Sequence, residues 1–131
     1  MNKITEKIRK TGVFYLATVD SENQPRVRPF GAVAEFEGKV YICTNNTKKC
    51  YDEMMKNPKV EICGMLDEGT WIRVCGKAVR DDRDEARQAM LDSNEGLKNM
   101  YSIGDGIFEV LYIDEAVCTE YSFTSAPVVI E

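Results

Sequence analysis

Arg26 and Arg28 flank Val27 in PRVRPFGAVAEF, a segment whose apolar and aromatic content reads as strand. Residues i and i+2 of a strand share a face, so both guanidiniums point the same way. They repel unless water solvates them or an anion is shared. Two readings follow: a solvated strand face, or a clamp for phosphate or carboxylate. A second cationic stretch, Thr44-Asn45-Asn46-Thr47-Lys48-Lys49, leaves the strand-like run KVYICT and opens a helix-like one. The start of a helix presents free N–H groups and a partial positive charge, which favour an anion. Thr47 adds a hydroxyl there, and Lys48 and Lys49 add full charges. Lysines in a first helical turn face an unfavourable dipole. A bound anion reverses that penalty; otherwise the two side chains simply point into water. Glu37-Gly38 reads as a two-residue hairpin turn between the two strands, which brings both cationic stretches towards one end of the same sheet.

What is absent narrows the chemistry further. The chain has no histidine, so it lacks the usual general base at neutral pH and the commonest metal ligand. Ser-His-Asp and Cys-His catalysis and histidine-ligated zinc or haem are removed with it. No metal site is expected, and difficult chemistry would have to come from a cofactor. The five cysteines are odd in number and form no C-x-x-C pair, which argues against a disulfide framework or a zinc site. Cys43, Cys63 and Cys75 lie in apolar runs and are expected as small buried hydrophobes. Cys50 follows two lysines, which would lower a thiol pKa, but no histidine can serve it as base. Tyr15 and Tyr41 are titratable, yet tyrosines in strands usually pack.

The elements that position these residues follow from pattern. Residues 2–10 read as an amphipathic helix with Ile4 and Ile8 at i, i+4. VFYLATV (13–19) reads as a strand buried on nearly both faces. DSENQP (20–25) is a turn. Residues 26–36 read as one long strand, with Pro29 and Gly31 marking a bulge or bend. KVYICT (39–44) pairs back. A helix capped by Asn46 or Thr47 runs to about Lys56, with Met54 and Met55 inward. VEICGML (60–66) and TWIRVCGKAVR (70–80) read as strands, the second interrupted at Gly76. Residues 81–92 read as helix, with a further turn over 94–101. Residues 106–123 give one or two strands around Asp114-Glu115. Strands do not alternate with crossover helices, so an antiparallel barrel with helical inserts is expected over a single domain, 1–131.

The net charge is −5 over 131 residues, which argues against broad nucleic-acid binding. Residues 24–50 nevertheless hold Arg26, Arg28, Lys39, Lys48 and Lys49 against Glu35 and Glu37, a local +3 beside −8 elsewhere. That contrast suits a small anionic ligand better than a polyanion. No apolar run is long enough for a membrane helix and no leader is read at the start, so no membrane association and a cytoplasmic location are expected.

YLATVDSENQPRVRPF (15–30), KVYICTNNTKKCYDEMMKNPKVEIC (39–63), WIRVCGKAVRDD (71–82) and FEVLYIDEAVCTEY (108–121) together resemble a known family. It is that of the flavin-mononucleotide (FMN) split β-barrels of the pyridoxamine 5′-phosphate oxidase superfamily, which includes general-stress flavin-binding proteins and nitroimidazole-resistance (Nim) proteins. The resemblance implies a mainly β fold with short helices, an antiparallel split barrel of FMN-binding type. It implies a homodimer with FMN in each of two grooves at the subunit interface. Arg26, Val27 and Arg28 match the strand along the flavin, and Thr44 and Asn45 match the strand exit beside it. Thr47, Lys48 and Lys49 match the cluster that holds the phosphate. Trp71 and Arg73 match a dimer-face strand from which either could reach the partner's flavin. The chain ends APVVIE where true pyridoxamine phosphate oxidases carry a basic substrate-binding segment, and it lacks the histidine associated with Nim-type proteins; the general-stress type is the branch expected. The implied function is a flavin-dependent oxidoreductase that takes a small-molecule substrate or electron donor, with no catalytic side chain identified. The alternative is a flavin carrier or redox sensor without turnover.

Overall fold

The computed structural model describes residues 2–131. In chain order the elements are α1 (Lys3–Lys10), β1 (Phe14–Val19), β2 (Pro25–Phe30), β3 (Ala34–Phe36), β4 (Lys39–Asn45), α2 (Lys49–Lys56), β5 (Lys59–Met65), β6 (Thr70–Asp81), α3 (Asp84–Ser93), a 3₁₀ turn (Glu95–Asn99), β7 (Phe108–Ser122) and β8 (Val128–Ile130). All strand pairs are antiparallel, in the order β2-β1-β5-β6-β7-β4-β3. The first part of β7 pairs β4, and its last part pairs β8. The inner sheet face closes round one apolar cluster that includes Leu16, Ile42, Ile62, Val74 and Leu111, with Ile8 of α1 and Met54 of α2 plugging into it. A second cluster packs Ala86, Met90 and Leu91 of α3 against Ala34, Tyr41, Cys43 and Val110. The fold is therefore mainly β and antiparallel with helical inserts, as the sequence pattern predicts, and is the split barrel that the family resemblance implies.

Local chemistry explains most boundaries. The Asn2 side chain accepts from the Thr5 N–H and caps α1. Glu37 and Gly38 both take positive φ, 51° and 77°, the geometry of a tight hairpin turn whose twist matches its strands. Gly76 sits at the register shift between Cys75 and Lys77, where a Cβ would lie 2.5 Å from Ile113 Cγ2 and 2.7 Å from the Asp114 carbonyl oxygen.

Several expectations are corrected. The long strand over 26–36 is two strands, broken at 31–33, because after Pro29 the chain must leave the β1 edge to join β4. The strand over 13–19 is not buried on both faces: β1 alternates, with Leu16 buried and Tyr15 exposed. Helix α2 begins later than expected, with Lys48 rather than Asn46 or Thr47 at its N-cap and no side-chain cap bond. Met54 is buried but Met55 faces solvent. Asp81 ends β6, so α3 starts at Asp84 rather than at 81. Cys63 and Cys75 are exposed on the outer sheet face, whereas Cys43, Cys50 and Cys118 are buried. No helix among the described residues is long and apolar enough to cross a membrane.

Candidate functional site

Strands β2 and β4 are not hydrogen-bonded neighbours, yet residues of both line one cavity of about 550 Å³. Arg28 and Phe30 come from β2, Cys43 and Thr44 from the end of β4, and Lys48 and Cys50 from the start of α2. The segment from Asn94 to Tyr101 forms the remaining wall. This groove is the split in the barrel. Its lining carries the cations Arg28 and Lys48 and the apolar side chains Phe30, Leu97 and Met100. Its size is that of a site for a drug-sized or cofactor-sized molecule.

A second recess of about 670 Å³ lies alongside and is lined by Arg26, Arg28, Lys49, Glu53 and Lys56. The structure therefore brings Arg26 and Lys49 together in one recess and Arg28 and Lys48 together in the other, with Arg28 common to both. The two arginines do share a strand face, but a different arrangement relieves their repulsion. Arg26 pairs with Asp20 at 3.1 Å, and Arg28 pairs with Glu53 at 2.9 Å. Arg28 also donates to the Thr18 hydroxyl at 2.7 Å and the Leu16 carbonyl at 3.3 Å. Backbone N–H donors from Gln24 and Glu22, with Arg26 beside them, hold the Asp20 carboxyl below its ordinary pKa. Lys48 and Lys49, by contrast, have no carboxylate partner among the described residues.

The turn that presents these lysines is built by Asn45. Its Oδ1 accepts from the Thr47 N–H at 3.0 Å and from the Thr47 hydroxyl, and its carbonyl accepts from the Lys48 N–H at 3.2 Å. Thr47 itself lines neither recess. Thr44 is buried with its hydroxyl 3.4 Å from the Cys50 sulfur. Burial pushes the Cys43 thiol up to about 12 despite the nearby Lys48, which keeps it unreactive at neutral pH. Beneath the turn, Asn46 donates to Glu109, which Arg80 and Arg87 also hold. Glu109 stays below the ordinary carboxylate range although its burial works against this.

The remaining site residues lie elsewhere. Val27 is opposite Ala17 in the ladder and is 67% exposed, on the face away from the arginines. Trp71 stacks on Tyr121, and Arg73 pairs with Glu61 at 2.9 Å while lying over the Tyr121 ring. Both belong to the outer sheet face and neither reaches the groove of its own chain. Sequence reasoning missed the wall contributed by 94–101. It stands far from the cationic motifs in the chain, and only the packing of α3 on β3 and β4 delivers it.

Antiparallel split barrel and cationic groove together define a class, and comparison places the chain in it. The profile of pyridoxamine 5′-phosphate oxidases matches residues 1–111, and the chain belongs to that family. A NimC/NimA family protein from Clostridium acetobutylicum is 51% identical, with a TM-score of 0.90 over 98% of this chain and 91% of that one. General stress protein 26 from Bacillus anthracis is 17% identical, with a TM-score of 0.69 over 97% and 98%. A pyridoxamine 5′-phosphate oxidase-related, FMN-binding protein from Nostoc punctiforme is 13% identical, with a TM-score of 0.65 over 97% and 91%. Identity in sequence thus lies with the Nim type rather than with the general-stress type, despite the absence of histidine. No curated protein matches the chain.

Proposed function

We propose that the protein binds FMN in the split of the barrel and serves as a flavin-dependent oxidoreductase on a small molecule. The observation that carries this reading is the groove's polarity. Lys48, without a carboxylate partner among the described residues and at a helix start without a side-chain cap, lines a slot that also presents Phe30, Leu97 and Met100, and Lys49, equally unpaired, lines the adjoining recess. The donor set fits a phosphate, because free N–H groups and ammonium charges both seek an anion. The apolar wall fits a flat ring system. Lys48 would meet the phosphate from within the groove, and Lys49 from the adjoining recess with Arg26. Arg28, tied to Glu53 and Thr18, would shape the wall rather than move with the ligand. Bound flavin would supply hydride or electron transfer; the chain's part is to hold it, orient it and limit water.

The outer sheet face supports a homodimer. Val27, Ala17, Glu61, Cys75 and Val117 form one register row, and Tyr15, Cys63, Arg73 and Thr119 form the next. Tyr15, Val27 and Val117 are all exposed on this face, with Met65 and Phe123 exposed near its end. A face that exposes apolar side chains across several strands, around the Arg73–Glu61 ion pair, is a candidate for burial against a second copy, and Trp71 and Arg73 on it would approach the partner's groove. A cytoplasmic location fits five free thiols.

The deciding measurement is the visible spectrum of the purified protein with FMN titration. A flavin band with one FMN per chain supports the reading. A haem band, or no uptake of FMN, overturns it. Flavin that no nicotinamide nucleotide reduces would leave a carrier or redox sensor as the function.

A further inference from the structure

Tyr101, in the wall of the groove, has a hydroxyl whose proton is directed by the bonds around it. The Thr47 backbone N–H can only donate, and it donates to Asn45 Oδ1. That fixes which end of the Asn45 amide is oxygen. The other end, Nδ2, is therefore the atom that meets Tyr101, donating to the phenol oxygen at 3.0 Å. Tyr101 is the acceptor in this bond, so its own O–H remains a donor. Among the described residues no acceptor takes it.

The ring is held in place. Tyr101 stacks on Phe108 with centroids 4.8 Å apart and planes 20° apart, and Phe108 is buried and paired with Asn45 in the ladder. The phenol proton can only swing about its C–O bond. One amide joins Tyr101 to Thr47, so the hydroxyl lies two hydrogen bonds from the turn that presents Lys48. Tyr101 and Lys48 line the same groove, and Asn45 is hydrogen-bonded to both residues, through its side chain to Tyr101 and through its carbonyl to the Lys48 N–H. A hydroxyl that already accepts from an amide is polarised into a better donor, and its strongest available partner is an anionic oxygen.

We propose that the Tyr101 hydroxyl is a ligand-binding donor to the anionic group of the molecule in the groove, a phosphate oxygen, and that Asn45 is the positioning residue that aims it. This rests on the phosphorylated-flavin reading of the groove and adds a contact from outside the two cationic motifs.

Tyr101→Phe removes only the hydroxyl and keeps the stacked ring. FMN and riboflavin, which differ by the phosphate, are titrated into wild type and variant by flavin fluorescence. The variant is expected to bind FMN about tenfold more weakly, with riboflavin changed by less than about twofold. Its ligand-free melting temperature should fall by only a few degrees, the loss of one part-buried hydrogen bond from Asn45. Equal FMN affinity in the two proteins overturns the assignment, and so does an equal loss for FMN and riboflavin. Inorganic phosphate provides an independent arm, read from the amide resonances of Thr47 and Lys48. Shifts in wild type that weaken in the variant support the assignment, and identical responses overturn it. Wild type that answers phosphate but takes up neither flavin removes the flavin reading and leaves Tyr101 in place. Wild type that answers neither removes both.

Discussion

Arg26 and Arg28 sit two residues apart on one strand and carry the same charge, yet they have different work. Arg28 is three-quarters buried and ties Glu53, Thr18 and the Leu16 carbonyl together. Arg28→Ala should cost about 2 kcal/mol, because it strands Glu53 with a largely buried charge. Arg26 is 57% exposed beside Asp20, so Arg26→Ala should change stability by less than about 1 kcal/mol. Thermal or urea unfolding of the two variants separates these cases; equal losses would contradict the division of roles. Lys48 has no carboxylate partner among the described residues, so Lys48→Ala should leave stability within about 0.5 kcal/mol. It should weaken FMN binding about tenfold, and less so at high salt, where the lost attraction is already screened. FMN titration at two ionic strengths measures this. Both lysines were legible from their place after a strand and before a helix. The carboxylates that claim the arginines were not, because Glu53 is 25 residues from Arg28 and reaches it only through the packing of α2 on β1.

The longest strands, β6 and β7, hold the sheet together along eleven paired positions and accommodate one irregularity, at Gly76. The bulge lets β6 bend as the sheet curls, and the Ile113 side chain and Asp114 carbonyl fill the space a side chain would need. Gly76→Ala should therefore destabilise by about 2 kcal/mol or more. At Gly31, in the break between β2 and β3, a Cβ meets nothing within 4 Å and φ is ordinary, and Gly31→Ala should be tolerated within about 0.5 kcal/mol. Chemical denaturation of the pair distinguishes a packed glycine from a permissive one. A sequence pattern marks both glycines alike as interruptions of a strand.

For the whole molecule, two properties follow from how charges and apolar surface are distributed. Arg83 holds the Asp81 carboxyl well below its usual range and lowers that of Glu37, Arg87 lowers Asp82, and backbone N–H groups lower Asp20 and Asp105. A carboxyl with a depressed folded pKa contributes stability that is complete above its unfolded pKa and disappears as pH falls through the folded value. No histidine titrates near neutrality. The melting temperature should thus be level from about pH 6 to 8 and fall below about pH 4, as a thermal melt series across that range would show. On the dimer reading, Val117→Asp in the middle of the exposed outer face should yield monomers in sedimentation and release FMN with them. A monomer that retained FMN would place the flavin site within one chain.

By itself the sequence determined that the strands form antiparallel hairpins, the Glu37-Gly38 turn, the helix that opens after the second cationic stretch and the absence of histidine chemistry. These are local matters of turn geometry, periodicity and residue type, each decided within a few neighbours. Tertiary structure alone decided that Cys63 and Cys75 face outward while Cys43 and Cys50 line the groove, that 31–33 breaks the strand, and that Tyr101 stands beside Asn45 across 56 residues of chain. Such choices depend on which sheet face is enclosed and which distant segment packs over it. A period of two fixes only that alternate residues differ in face, never which face becomes the inside.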